Sequence, residues 1–80
     1  MDTITVIQKR ILELCRERNI TPNKLANISA LPRSSLKSIL YGKSKNPGVT
    51  TIKILCDGLG ITLAEFFDTN DFNDLEQEIK

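Results

Sequence analysis

TPNKLANISALPRSSLKSILYG, residues Thr21 to Gly42, divides into two short helices and a tight turn. Thr21 caps the first helix, and Pro22 occupies its first position, where a missing N–H costs nothing. This helix runs to about Ile28 and is expected to bury Leu25, Ala26 and Ile28. Ser29, Ala30 and Leu31 form the turn. Pro32 fixes the start of the second helix, which runs to about Tyr41 and stops at Gly42. On that helix Leu36, Ile39 and Leu40 fall within roughly 100° of one another. Ser34, Lys37, Ser38 and Tyr41 cluster on the far side, with Arg33 at the border. A helix that buries one side and offers short polar and cationic groups on the other is built to touch something outside the domain. The major groove of DNA, which admits a helix, fits that description.

Working outward, Ile4, Ile7, Ile11, Leu14 and Cys15 recur at helical spacing, which predicts an amphipathic first helix from about Thr3 to Arg18. Asp2 or Thr3 caps it, Arg16 and Arg18 sit where cations are favoured, and Asn19 is the residue to stop it. After Gly42, Lys43–Ser44–Lys45–Asn46–Pro47–Gly48 reads as a polar, cationic loop. A fourth helix, about Val49 to Leu59, carries Ile52, Leu55, Cys56 and Leu59 at i, i+3, i+4, i+7 and closes at Gly60. Thr62 caps a fifth, short helix that buries Leu63, Phe66 and Phe67. Asp68 to Asp71 interrupts the pattern. Phe72, Leu75 and Ile79 then mark an apolar stripe on an acidic segment, a candidate sixth helix. Val6, Leu12 and Ile54 lie off the main stripes and read as side contacts.

The expected architecture is all-α: a compact bundle of five short helices with this C-terminal addition. The domain occupies residues 1–68, and residues 69–80 form the acidic segment. Its core is expected to contain Ile11, Cys15, Leu25, Ala26, Leu36, Ile39, Leu40, Ile52, Leu55, Cys56, Leu59, Leu63, Phe66 and Phe67. No strand pattern, internal repeat, low-complexity segment or dividing linker competes.

A chain of 80 residues makes one small domain, which buries only about 60% of its extended surface and depends on close helix packing. No apolar run is long enough to span a membrane, and no charged-then-apolar leader is present. Cys15 and Cys56 sit on apolar faces, as buried free thiols do in a reducing cytoplasm. With no histidine, no carboxylate pair in a cleft, no nucleophile beside a base and no Gly-rich phosphate loop, neither enzyme chemistry nor a cofactor is expected. Two isolated cysteines make no metal site. Charge is distributed unevenly. Residues 1–60 hold ten of the eleven Lys/Arg and four of the ten Asp/Glu, for +6, whereas residues 61–80 hold one Lys and six acids, for −5. A basic body with an acidic end suits a surface that meets a polyanion.

Several spaced features taken together resemble the lambda-repressor-like, Cro/cI-type helix-turn-helix domains, the XRE family. They are Thr21 as cap, the Leu25–Ala26 pair, Leu36 and Ile39, Gly42, the GKSKNP loop and the ending LCDGLGITLAEFF, over Ile11 to Phe67. The chain departs from the family in three places. Ala30 stands where a turn Gly is usual, so the turn need not use a left-handed residue. Pro22 stands where a phosphate-reaching Gln is frequent, which leaves that contact to Asn23 or Lys24. Cys15 and Leu40 stand where many members pair an Arg with a Glu. An apolar pair is a reasonable exchange there, because a buried ion pair gains little net stability over packed apolar groups.

The resemblance implies binding to short DNA operators, often as symmetric dimers that repress transcription. It places the third helix in the major groove, with Arg33 and Lys37 toward guanine edges and Ser34 and Ser38 adding fit. Backbone phosphates would meet Thr21, Asn23 and Lys24 at one end. Tyr41, Lys43, Ser44, Lys45, Asn46, Thr50 and Thr51 would meet them at the other. The partners expected are double-stranded DNA and a second copy, joined through the fourth and fifth helices or through Phe72, Leu75 and Ile79. Antitoxin-type or other binding to a protein partner is the alternative.

Overall fold

The computed structural model describes residues 2–79, so the last residue of the acidic segment lies outside it. The described residues form six helices and no strand: α1 (Thr3–Glu17), α2 (Pro22–Ile28), α3 (Arg33–Leu40), α4 (Val49–Leu59), α5 (Leu63–Phe67) and α6 (Asn70–Asn73). None of them is long and apolar enough to cross a membrane. Short polar side chains start three of them. Asp2 accepts the Thr5 N–H at 3.0 Å, and Thr21 accepts that of Lys24 at 3.1 Å. Thr62 and Glu65 form a reciprocal capping box. The Thr62 N–H, and after it the Thr62 hydroxyl, hold the Glu65 carboxyl below its usual range.

Four helices, α1 to α4, end by one device, a left-handed residue that lets the next N–H reach back. Asn19 (φ +56°) sends the Ile20 N–H to Cys15 O, and Gly60 (φ +72°) sends that of Ile61 to Cys56 O, each at 3.0 Å, and Gly42 (φ +94°) sends that of Lys43 to Ser38 O at 3.1 Å. The device after α2 is a correction. The turn after α2 does use a left-handed residue, and it is Ala30, at φ +54°. The Leu31 N–H then reaches Ala26 O at 2.9 Å, while the Leu31 side chain packs against the core. Satisfying the last carbonyls of α2 and returning Leu31 to the core outweigh the strain of a Cβ in this region.

One cluster of buried side chains joins α1 through α5, and Cys15 and Leu40 both belong to it. Its largest fully buried members include Phe66, Ile11, Leu25 and Leu55. Burial pushes the Cys15 and Cys56 thiols up from their usual value. Four side chains depart from expectation. Phe67 is 37% exposed, because α5 is a single turn that can bury only one of two adjacent rings; Phe66 takes that place. Leu63 is half-buried at the edge of the cluster. Ile28, at the end of α2, is exposed, whereas Val6 is buried, in a recess that the C-terminal segment lines.

That segment packs on its own domain. Phe72 stacks edge-on against Phe67, with centroids 4.9 Å apart, Lys9 pairs with Asp71 at 2.9 Å and the Thr3 hydroxyl donates to Glu78 at 2.9 Å. The expected sixth helix is shorter and earlier than its stripe. It covers Asn70–Asn73, leaving Leu75 half-buried in irregular chain and Ile79 exposed. Contacts to α1, rather than helical periodicity, dictate the course of these residues.

The polar side chains of α1 finish other helices. Arg10 Nε donates to Phe66 O at 2.7 Å and its Nη2 to Glu65 O at 2.9 Å, closing α5 with a cation at its negative end. Gln8 Nε2 reaches Ile39 O near the end of α3 (2.9 Å), and Arg18, the cap residue just past α1, sends its Nε to Leu59 O at the end of α4 (3.2 Å).

Ala30→Gly is expected to stabilise the domain by about 0.5–1 kcal/mol, because relief of left-handed strain exceeds the added freedom of the unfolded chain. The midpoint of thermal unfolding should rise by a few degrees. At Gly58 an added Cβ would overlap Ser29 Oγ and lie 3.1 Å from Ser29 Cβ, so α4 and α2 meet there at close range. Gly58→Ala should therefore destabilise by about 1 kcal/mol despite its better helix propensity. In a double-mutant cycle by chemical denaturation, Ser29→Ala should recover part of that loss, since the hydroxyl it removes is buried and unpaired.

Candidate nucleic-acid interface

Leu36, Ile39 and Leu40 of α3 are buried in the common core, at 2%, 3% and 7% exposure. Their burial settles the orientation of the remaining side chains. Arg33, Ser34 and Lys37 are exposed, Ser38 is half-buried and Tyr41, just past the helix, is 69% exposed. Ser34, Lys37, Ser38, Tyr41 and Lys43 line one open recess of about 410 Å³. A smaller one, about 150 Å³, separates the start of α2 from α3 and is lined by Thr21, Pro22, Asn23, Arg33, Lys37 and Tyr41 among others. Lys37 and Tyr41 line both, so they form the ridge between the two recesses.

The loop after α3 is folded back on the helix. The Tyr41 N–H bonds to Lys37 O at 2.8 Å, and the N–H groups of Lys43 and Ser44 share Ser38 O at 3.1 and 2.9 Å. Gly42, at φ +94°, allows the reversal. These bonds bring Lys43 beside the exposed face of α3. Lys24, Lys45, Asn46 and Thr50 are exposed, and Ser44 and Thr51 half-buried; none of them lines either recess. No side chain caps α3 or α4, which begin after Pro32 and Gly48. Ser35 and Leu36 already donate to Pro32 O, and Ile52 to Gly48 O, so the N–H groups of Arg33 and Ser34 in α3 and of Val49, Thr50 and Thr51 in α4 are the ones left for an acceptor from outside. At Thr21 the hydroxyl oxygen already accepts the Lys24 N–H, so its proton is what remains to donate.

Charge sharpens this surface. Lys24, Arg33, Lys37, Lys43 and Lys45 make no salt bridge among the described residues; the pairs formed there are Lys9–Asp71, Arg10–Glu13 and Lys53–Asp57. No carboxylate stands between Glu17 and Asp57 in the sequence. That acid-free run was the legible sign of a cationic surface, and the division of charge at residue 60 only approximates it. The acidic segment lies against Thr3, Val6 and Lys9 of α1, so it neutralises α1 rather than α3.

A family model described as the Cro/C1-type HTH DNA-binding domain matches residues 10–71. Among solved structures, that of the prophage Lp1 protein 11 is similar over 94% of this chain and 100% of its own, with 33% sequence identity and a TM-score of 0.82. No curated protein sequence matches.

Proposed function

This chain belongs to the Cro/C1-type HTH DNA-binding family, and from that premise we propose that it is a sequence-specific transcriptional regulator that reads the major groove with α3. One observation carries the reading. Burial of Leu36, Ile39 and Leu40 turns Arg33, Ser34, Lys37 and Ser38 outward on a surface whose cations make no salt bridge among the described residues. The N-terminal half of α3 lies toward the bases, where Arg33 donates two hydrogen bonds to a guanine and Lys37 reaches a second guanine edge. Ser34 and Ser38 bond to more than one base and contribute fit. Thr21, Asn23 and Lys24 hold the backbone on one side of the groove. Tyr41, Lys43, Ser44, Lys45, Asn46, Thr50 and Thr51 hold it on the other, setting register without reading sequence.

A domain of this size covers only a few base pairs. We infer a homodimer on a near-palindromic operator, with half-sites about one helical turn apart, that represses by occupying its site. Selection of bound fragments from a random duplex pool tests the whole reading; recovery of no common sequence would end it.

Two further outcomes are expected. If each protomer neutralises about five phosphates, log affinity should fall against log salt with a slope of about −4 to −5, and about twice that for a dimer. A flat response, or no binding at low salt, would favour a protein partner instead. On the selected site, Arg33→Ala or Lys37→Ala should cost about 1–3 kcal/mol and relax preference at one position, whereas Lys43→Ala or Lys45→Ala should weaken all duplexes alike. Equal behaviour of the two pairs would place α3 wrongly in the groove.

A further inference from the structure

α3 ends with a carbonyl that the backbone does not satisfy. Lys37 O takes the Tyr41 N–H and Ser38 O takes those of Lys43 and Ser44. The Lys43 N–H that would have continued the helical pattern onto Ile39 O is thereby diverted to Ser38 O. Ile39 O instead accepts from Gln8 Nε2 at 2.9 Å, in a part-buried bond spanning 31 residues of sequence. Among the described residues this is the one hydrogen bond between a side chain of α1 and the backbone of α3. Gln8 also lines an open recess with Leu12 of its own helix and Leu40 of α3.

We propose that Gln8 is a positioning residue for recognition: it holds the C-terminal end of α3 at the angle from which Arg33 and Lys37 meet base edges. The proposal rests on the major-groove reading above and adds to it a residue that never touches DNA. Geometry supplies the leverage. A helix of 8 residues is about 12 Å long, so a tilt of about 10° about its far end moves the Arg33 end by about 2 Å. Base-edge hydrogen bonds tolerate only a few tenths of an ångström. Contacts to phosphate made by flexible lysines absorb such a shift, and a core of packed leucines resists a tilt less sharply than a directional bond does. Loss of the Gln8 amide should therefore damage discrimination and leave general DNA affinity intact.

The test is Gln8→Met, which keeps length and neutrality but removes the donor, with Gln8→Lys restoring a donor from the same position. For each folded variant, affinity is measured on the selected duplex and on random duplex at one salt concentration. Amide exchange of Tyr41 to Ser44 is followed in the free protein. The Met variant should lower the ratio of selected to random affinity about three- to tenfold, the consequence of one lost hydrogen bond. Its random-duplex affinity and salt slope should be unchanged and amide exchange at the end of α3 faster. The Lys variant should restore both ratio and protection. An unchanged ratio in a wild type that discriminates, or equal loss on both duplexes, would overturn the positioning role alone. Absence of any discrimination in the wild type would overturn the groove reading and this proposal with it. If the Met variant does not fold, Gln8→Lys decides: a ratio below wild type there refutes the role of the donor.

Discussion

Carbonyls at helix ends must be satisfied, and in this domain α1 supplies much of what satisfies them. At 15 residues α1 is the longest helix of the chain; the others run from 4 to 11. Isolated helices below about 12 residues are marginal in water. Gln8 and Arg10 of α1, with Arg18 just past its end, reach the ends of α3, α5 and α4 respectively. The same helix places Ile7, Ile11, Leu14 and Cys15 in the core. Burial and capping thus act from one element, which makes α1 the strut against which the shorter helices are held.

The exposed face of α3 follows from that support. Its apolar row is committed to the core, so Arg33, Ser34 and Lys37 on its polar row are exposed. Around it the chain carries cations without acids from Arg18 to Cys56, and the acidic C-terminal segment is tied to α1 through Lys9–Asp71 and Thr3–Glu78. Segregation of the two charges keeps the surface of α3 electropositive, although the chain as a whole is almost neutral, at +1.

What could be read from residue order was what depends on near neighbours. The helix starts at Asp2, Thr21 and Thr62 and the stop at Asn19 are interactions between residues no more than five apart, so their signals survive in the sequence. The inward row of α3 was legible for a similar reason: Leu36, Ile39 and Leu40 need only the helical period to share a face. Ala30 was misread because a left-handed alanine has no compositional mark; the need for it comes from the return of Leu31 to a core built by distant residues. Phe67 was misplaced because two adjacent rings on one short turn cannot be ranked without knowing what lies beneath them.

Residue order alone establishes the all-α class, the succession of α2, turn and α3, the side of α3 that is apolar, and the polarity of the charge along the chain. Periodicity, capping and charge are all properties of short windows or of simple sums. Folding alone brings Arg10, Arg18 and Gln8 to the ends of three other helices, passes α4 close enough to α2 to require Gly58, and sets the course of residues 69–79. Each of these joins positions far apart in the chain, and a hydrogen bond or a steric contact between such positions exists only once the core has brought their helices together.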